Sequence, residues 1–422
     1  MRNRHELFLD DLPTDWDKAR IDELGEVVGG STPSRDNPRF WGGDISWVTP
    51  GELTGLSTKY LGETREEITE AGLASCGARL LQAESLLVTS RATLGAVALA
   101  KAPLATNQGF KSITFDSRCA PSFFYHLFKT LNPELSRRAS GTTFLEIPAR
   151  EFRAISLPVP PLLEQRQIAE ILDTVDEAIR KTEQIIAKLQ QVKQGLLHDL
   201  LTRGIDDNGE LRDPVRHPEQ FKDSPLGRIP KEWDIGAIGT HCVVHNTLRK
   251  PLAVEVREKM RGPYPYYGPT GILDWLNEYR VEGTFVLIGE DGDHFLKFSE
   301  WPMTQLVSGQ FNVNNHAHIL SGVRCRTDWL DTWFRHRDIT LHLTRQGAGR
   351  FKLNKASLRA IRFGVPSDAE QLELRRRVHA LEDASEAEER FLDKLRLLKS
   401  GLMEDLLTGR VRVAKLLEQA AE

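Results

Sequence analysis

The sequence KQGLLHDLLTRG, at Lys193–Gly204, returns as KSGLMEDLLTGR at Lys399–Arg410, about 206 residues further along the chain. The same shift aligns Arg153-Ala154-Ile155 with Arg359-Ala360-Ile361. Similarity at a fixed interval is the mark of an internal repeat. The chain therefore contains two copies of one unit, each a variable region followed by a more constant one.

The constant part of each copy carries a heptad pattern. Apolar residues alternate at steps of four and three from Ile168 to Leu200, and again from Leu374 to Leu406. Polar residues interrupt the two patterns at the same heights, namely Thr182 and Glu388, then Lys193 and Lys399. Each segment predicts a helix of roughly 40 residues, or ~60 Å. An apolar stripe cannot be buried on one helix alone, so we expect the two helices to pair, with the units related by a pseudo-twofold axis.

The two lysines in the seam have two open interpretations. Lys193 and Lys399 either fix the register and orientation of the helix pair or extend to solvent at its frayed end.

The repeat predicts an α+β protein in which two pseudo-repeated α/β domains are separated by two long helices, packed as an antiparallel coiled coil. The variable regions contain β-rich runs such as SLLVTS and TFVLIGE between Gly and Pro turns. The stretch between the copies is rich in Asp, Gly and Pro, which is typical of an extended linker. We expect a first domain at 1–155, a first spacer helix at 156–205, the linker at 206–228, a second domain at 229–361, a second spacer helix at 362–412 and a C-terminal tail at 413–422.

Composition excludes several classes of protein. With 422 residues, 40% apolar and without an apolar run of about 20 residues, the chain suits two globular domains rather than a membrane span. Its first residues lack the pattern of a secretory signal, so we expect a cytoplasmic protein. The four cysteines form no CxxC pair, which argues against a zinc site or a disulfide framework. The net charge of -4 conceals a basic stretch between Arg324 and Arg362 that favours contact with phosphates.

No catalytic pattern is present in the sequence. A GxxxxGK[ST] phosphate loop is missing, and Asn37-Pro38-Arg39-Phe40 lacks the second proline of the adenine methyltransferase motif. Asp291, Asp293 and His294 fit either a nuclease metal site or a Gly/Asp turn between strands. His316 and His318 alternate on one strand without a third ligand nearby, so we expect histidines that face DNA or the core. We therefore predict no catalytic residue and no metal ligand.

Polar loops in the variable regions carry side chains suited to DNA. Asn and Gln can pair with adenine, and Arg and Lys can pair with guanine or hold phosphate, although each residue could also be an ordinary solvated one. Trp41 and Trp47 are expected in the core. In the first region the candidate DNA-binding residues are Ser31, Thr32, Ser34, Arg35, Ser90, Arg91, Asn107, Gln108, Lys111, Thr142 and Thr143. In the second they are Tyr266, Tyr267, Asn315, His316, Arg345, Gln346, Arg350 and Lys352.

Together these features resemble the DNA specificity subunit of type I restriction-modification systems. The segments that carry the resemblance are GGSTPSRDNPRFWGGDISWVTPGEL, TNQGFK, VPPLLEQRQIAEILDTVDEAI, LRDPVRHPEQFKDSPLGRIPKEW and the twin endings LLHDLLTRG and LMEDLLTGR. The second copy departs from the family pattern at Gly364-Val365-Pro366-Ser367, where a Pro-Pro pair is lost, and this leaves the local boundary open.

The resemblance implies two target-recognition domains that each read one half of a bipartite double-stranded DNA site, with the paired helices as a spacer. It also implies two modification (methyltransferase) subunits and further restriction/translocase subunits as partners. S-adenosylmethionine, ATP and Mg²⁺ are expected on those partners and no cofactor on this non-catalytic chain. The alternatives are a metal-dependent nuclease and a coiled-coil scaffold without DNA contact, and the basic stretch counts against the scaffold.

Overall fold

The chain divides into two compact units that each combine a variable domain with parts of both long helices. The computed structural model describes residues 9–141, 145–346 and 350–413. One unit consists of Met1–Gln184 with Arg390–Glu422, and the other of Ile185–Glu389. None of the helices in these described ranges combines the length and the apolar character needed to cross a membrane.

The first unit has a five-stranded sheet, a three-stranded sheet and a two-stranded sheet, in the orders β2-β9-β6-β7-β4, β5-β3-β8 and β1-β10 among its described residues. The strands are β1 (Asp17–Arg20), β2 (Gly25–Gly29), β3 (Trp41–Val48), β4 (Tyr60–Leu61), β5 (Glu66–Ile68), β6 (Leu86–Val88), β7 (Val97–Ala100), β8 (Ala105–Thr106), β9 (Lys111–Phe115) and β10 (Ser156–Val159). The helices are α1 (Ile21–Leu24), α2 (Pro50–Thr54), α3 (Glu70–Ala74), α4 (Pro121–Phe128), α5 (Asn132–Arg138), α6 (Ala149–Arg153) and the long α7 (Leu162–Arg203), with a 3₁₀ turn at Pro38–Phe40.

The second unit is built around a six-stranded sheet in the order β14-β19-β17-β18-β15-β16, with two-stranded pairs β11-β12, β13-β22 and β20-β21 among its described residues. The strands are β11 (Phe221–Ser224), β12 (Gly227–Pro230), β13 (Asp234–Ala237), β14 (Cys242–Val244), β15 (Arg261–Tyr267), β16 (Ile272–Leu276), β17 (Val281–Gly289), β18 (Thr304–Val313), β19 (Ala317–Gly322), β20 (Thr344–Gln346), β21 (Arg350–Lys352) and β22 (Arg362–Val365). The helices are α8 (Ile238–His241), α9 (Val254–Lys259), α10 (Thr327–Phe334), α11 (Lys355–Ala360) and the long α12 (Asp368–Leu406), with 3₁₀ turns at Pro218–Gln220, Asn246–Leu248, Asp293–Lys297 and Thr340–His342.

The first and last strands of each variable domain form an antiparallel pair next to the start of a long helix. β1 pairs with β10 from Asp17↔Val159 to Arg20↔Ser156. β13 pairs with β22 in the same way, from Asp234↔Val365 to Ala237↔Arg362. Residues at the start of the two predicted spacer segments therefore form strands, and the helices begin later, at Leu162 and Asp368. Prolines between strand and helix explain the delay, because proline lacks the N–H that a helix interior requires.

Aromatic residues fill the core of each unit where the domain meets the helices. In the second unit the rings of Trp233, Trp329 and Trp333 lie with their centroids 5.8–6.4 Å apart, and all three are buried. Each such pair contributes about 0.5–1.5 kcal/mol beyond its burial. Leu200 and Leu374, one from each long helix, belong to the same core. The helix seam and the domain core are therefore continuous within this unit.

The two long helices run antiparallel where the first unit contains them. Lys399 of α12 pairs with Asp176 of α7, and Arg396 pairs with Glu183 at 2.9 Å. Residue numbers rise along one helix as they fall along the other, which defines the antiparallel direction. Both Lys399 and its counterpart Lys193 face carboxylates, with only 17% and 21% of their side chains exposed. The solvent-seeking interpretation of these lysines is therefore wrong.

The segment after α7 is folded rather than fully extended. Ile205 and Phe221 are buried in the second unit, and β11 pairs with β12. Arg212 is also buried, with its guanidinium 2.6 Å from Glu370 at the start of α12. The segment predicted as an extended linker thus contributes side chains to the second unit.

Candidate nucleic-acid interface

Four loops meet at one end of the main sheet in the first unit, and we call their described residues the first loop cluster: residues 30–35, 89–96, 107–110, and 139–141 with 145–147. The Ser31 N–H donates to the Thr106 carbonyl at 2.9 Å, and Trp47 Nε1 donates to the Ser31 carbonyl at 3.0 Å. The Thr32 hydroxyl bonds to the Gln108 side chain. These bonds hold the Ser31–Arg35 loop against the loop after β8, so residues far apart in sequence form one polar surface.

An ion pair between the buried Lys111 and the partly exposed Glu146 supports this cluster. Lys111 is 7% exposed, and its ammonium lies 3.3 Å from the Ser90 hydroxyl and 3.3 Å from Glu146 Oε1. Arg91 reaches the other oxygen of Glu146 at 3.8 Å. The carboxylate therefore joins three loops through two cations. Glu146 was not among the residues that the sequence indicated, because nothing in its local pattern shows which distant cation it meets.

Arg35 is engaged by neighbouring side chains. Its guanidinium lies 3.8 Å from the centre of the Trp41 ring and donates from Nη2 to Glu66 at 2.9 Å. The hydrogen bond to Glu66 raises the arginine pKa, and it lowers the pKa of the glutamate. Trp47 is buried, as predicted for the core, and its ring meets the half-buried Trp41 edge to face. Arg35 is thus held flat against an aromatic surface.

The second unit has a second loop cluster in the corresponding place, formed by the described residues 245–250, 289–293, 313–317, and 344–346 with 350–353. The Glu290 N–H donates to the His316 carbonyl at 2.8 Å, and its carbonyl accepts from Leu353 at 2.7 Å. The Glu290 carboxylate pairs with Arg249 and lies 3.5 Å from Lys352 Nζ. A carboxylate with two cations therefore lies at the centre of this cluster too.

The clusters occupy equivalent strand ends. In the first, Thr89 bridges to Phe110 beside the β6–β9 pair, and in the second, Gly289 pairs with Ala317 where β17 meets β19. The charges are exchanged between the copies. Lys111 follows the 107–110 loop and meets Glu146 in the 145–147 segment, whereas Lys352 lies in the 350–353 segment and meets Glu290 in the 289–293 loop. The two clusters thus share a backbone plan and differ in side-chain chemistry.

The structure places the predicted contact residues at different depths. Among those it describes, the exposed ones are Ser34, Arg35, Arg91, Gln108, Asn315, His316 and Arg345, and the half-buried ones are Ser31, Thr32, Asn107, Tyr267 and Lys352. Thr142 and Thr143 lie outside the described residues. The backbones of Gln346 and Arg350 pair at the tip of the β20–β21 hairpin, and their side chains lie outside the description.

Three of the predicted contact residues are buried. Ser90 is 0% exposed, Lys111 is 7% exposed and Tyr266 is 1% exposed. The Tyr266 hydroxyl donates to the Lys250 carbonyl at 2.8 Å, and this bond fixes the loop that carries Lys250. In this structure these side chains support the loops from below. To contact DNA, these side chains would have to break the hydrogen bonds that they make in this structure.

The residues of the nuclease alternative do not converge. Asp291 pairs with His316 at 2.8 Å, while the half-buried His294 lies beside Gly289 and its pKa is lowered by partial burial. His318 is fully buried, and its Nε2 lies 2.8 Å from the Leu353 carbonyl. Among the described residues no group of three His, Cys, Asp or Glu side chains could hold a metal ion. The Gly/Asp turn with a surface Asp–His pair accounts for this region.

Gly30 lets the Ser31–Arg35 loop approach its neighbour closely. A Cβ at this position would lie 1.9 Å from the Asn107 carbonyl, whereas a Cβ on Gly29 would meet nothing within 4 Å. We expect Gly30→Ala to displace the loop and destabilise the first unit by about 2 kcal/mol, as overpacking does. Denaturant unfolding of both variants measures this, with Gly29→Ala as the control. Equal stability of the two variants would contradict the close approach.

Comparison with known proteins supplies independent findings. A model of the type I restriction modification DNA specificity domain matches residues 13–191. The type I restriction enzyme MjaIX specificity subunit of Methanocaldococcus jannaschii is 33% identical over 256 residues, which are 60% of this chain and 57% of that protein. The putative type I restriction enzyme MjaX specificity subunit of the same organism is 22% identical, over 96% of this chain and 95% of that protein.

Solved structures share the fold. The crystal structure of a type I restriction-modification system S subunit from M. genitalium matches with a TM-score of 0.58 at 15% identity, covering 94% of this chain and 96% of that one. A chain from a structure of type I R-M complex assembly and conformational transition matches with a TM-score of 0.56 at 16% identity, covering 95% of this chain and 100% of that one. Two α/β domains and two long helices are therefore a known arrangement.

Proposed function

We propose that this chain is a DNA specificity subunit of a type I restriction-modification system and that it reads a bipartite DNA sequence, one half with each loop cluster. The observation that carries the proposal is the pair of loop clusters at equivalent strand ends, each with exposed polar side chains around one carboxylate that pairs with two cations. Exposed Gln108 and Asn315 can face base edges, and exposed Arg91 and Arg345 can face phosphate. Different side chains on one backbone plan suit two different half-sites.

The proposed role is one of binding and assembly, without chemistry on this chain. Two modification subunits would supply adenine methylation with S-adenosylmethionine, and restriction/translocase subunits would supply ATP- and Mg²⁺-dependent cleavage. The complex would act in the cytoplasm. In support, the loop clusters contain ion pairs and amides that suit recognition. Two carboxylates of the second loop cluster already have partners, since Asp291 pairs with His316 and Glu290 pairs with Arg249.

The direct test is adenine methylation in a host free of it. The cognate modification subunit is expressed with and without this chain, and methylated adenines are mapped by single-molecule sequencing. We expect one split motif that appears only with this chain. If the complex assembles and no motif appears, the DNA-reading role is contradicted.

The β20–β21 hairpin gives a second test of DNA contact. Arg345 is exposed, with its guanidinium 5.0 Å from the Phe351 ring, and the backbone of Arg350 pairs with the next residue along, Gln346. The slope of log K against log salt is negative, and removing two phosphate contacts reduces its magnitude by about 1.8. We expect that loss in the Arg345→Ala, Arg350→Ala double variant, measured by DNA binding of the assembled complex at several salt concentrations. An unchanged slope would remove both residues from the interface.

A further inference from the structure

An ion cluster joins three elements in the first unit. Asp176 of α7 pairs with Lys399 of α12 and also lies 4.0 Å from the ammonium of Lys129. Lys129 directly follows α4, a helix of the variable domain. The carboxylate thus links its own helix, the other long helix and the domain. Burial lowers the pKa of Lys129 to about 8, and the charge of Lys399 adds to this effect.

The second unit contains the same cluster at the repeated positions. Glu382 of α12 lies 3.4 Å from the ammonium of Lys193 on α7 and 3.1 Å from Nε of Arg335. Arg335 directly follows α10, as Lys129 follows α4. His336 also approaches the carboxylate, with its Nε2 3.3 Å away. The Glu382 side chain is 9% exposed and that of Asp176 is 31% exposed, so this cluster is the more buried of the two.

Ionisation of Glu382 is maintained despite its burial. Desolvation alone would raise the pKa of this carboxyl group, but the hydrogen bond with His336 and the charges of Arg335 and Lys193 lower it to about 2. A buried charge that loses its partners costs about 3–5 kcal/mol. Sliding one long helix past the other would separate Glu382 from Lys193, so the cluster resists sliding.

The rest of the seam offers less resistance to sliding. Leucine can pack against leucine at more than one heptad height, whereas a polar residue at a seam position specifies register. Two such positions, one in each unit, are filled here by Lys193 and Lys399. A shift of one heptad moves a helix by ~10 Å. Along DNA that distance equals about three base pairs.

We propose that the pairs Asp176–Lys399 and Glu382–Lys193 lock the axial register of the two long helices against the recognition domains, and thereby fix the number of base pairs between the half-sites. This inference rests on the proposed function and adds positioning residues to it. Lys129 and Arg335 complete the lock, because they tie the register of the helices to the domain that each carboxylate supports.

The test uses a variant that keeps the seam but removes the lock. Lys193→Met with Lys399→Met leaves unbranched side chains in the seam and removes both ammonium groups. The matched control is Lys188→Met with Lys394→Met, two exposed lysines on the same helices. Lys193→Arg with Lys399→Arg keeps the charge and serves as the conservative rescue. Each chain is expressed with the modification subunit, and methylated sites are sorted by the gap between half-sites.

The unlocked variant should methylate sites whose gap is about three base pairs longer or shorter, which corresponds to a shift of one heptad, with the share of such sites increased about tenfold, the effect of losing about 1.4 kcal/mol of discrimination. The control and the arginine variant should keep the wild-type gap. Uniform loss of methylation at all gaps, or an unchanged gap preference, would overturn the register lock while leaving DNA reading intact. Absence of any motif with the wild-type chain would instead overturn the proposed function.

Discussion

Glu370→Ala is expected to lower the free energy of unfolding of the second unit by about 3–5 kcal/mol, because it removes the nearer carboxylate partner of the buried Arg212 and the acceptor of two buried N–H groups. Glu370 Oε1 accepts from Arg212 at 2.6 Å and from the Ile205 N–H at 2.9 Å. Its other oxygen accepts from Trp233 Nε1 at 3.0 Å. Arg212 is 8% exposed and Trp233 is fully buried, so water cannot replace the lost carboxylate without opening the core.

Denaturant unfolding followed by tryptophan fluorescence measures this loss, since the Trp233 cluster lies beside the substitution. Glu373→Ala is the matched control, one turn further along α12. The Glu373 carboxylate bonds to Arg376 and Arg377, and these bonds lower its pKa to about 2. Its side chain is 30% exposed and its partners reach solvent, so the control should cost less than about 1 kcal/mol. Equal losses from both variants would contradict the buried role of Glu370.

Glu290→Ala is expected to abolish reading of the second half-site while the first is still read. The substitution removes the carboxylate that holds Arg249 and Lys352 together, so the loops of the second cluster lose their shared support. Glu290 is 16% exposed, and Arg249 is 20% exposed. Leaving these two cations unpaired costs about 3 kcal/mol. A loss of that size reduces DNA affinity roughly 100-fold.

Methylation mapping measures this result, because each half-site is read separately in the sequenced motif. Glu282→Ala is the control, since Glu282 is an exposed strand residue whose contact is the Tyr279 hydroxyl at 3.3 Å. The control should leave the motif unchanged. A Glu290→Ala chain that still directs methylation to the complete motif would show that the ion pair does not support recognition.

The long helices and the repeat were predictable because both depend on periodicity within the sequence. The heptads extend over some forty residues, and the solved structures that share this fold agree with the expected arrangement. The loops that form the clusters were also predictable, because glycine, proline and short polar side chains favour turns at strand ends. What each loop side chain does was harder to predict.

Burial of side chains and ion pairs between distant residues explain why the roles of the loop side chains were harder to predict. Lys111 and Tyr266 have the chemistry of DNA contacts, yet tertiary packing buries both. The carboxylates at the centres of the clusters, Glu146 and Glu290, come from segments distant from the cations that they bind. Sequence pattern records which residues are neighbours along a strand or helix, but long-range ion pairs depend on how loops meet after folding.

The junction between domain and helix has a consequence for how such chains diversify. Gln165 accepts from the Ala120 N–H at 2.8 Å and donates to the Pro160 carbonyl at 2.8 Å. Gln371 makes the same two contacts, with the Arg326 N–H at 3.0 Å and the Pro366 carbonyl at 2.8 Å. Both glutamines bind only main-chain atoms, which are present whatever side chains the neighbouring residues carry. An exchange of one variable domain for another would therefore keep these main-chain contacts, whatever side chains the new domain carries.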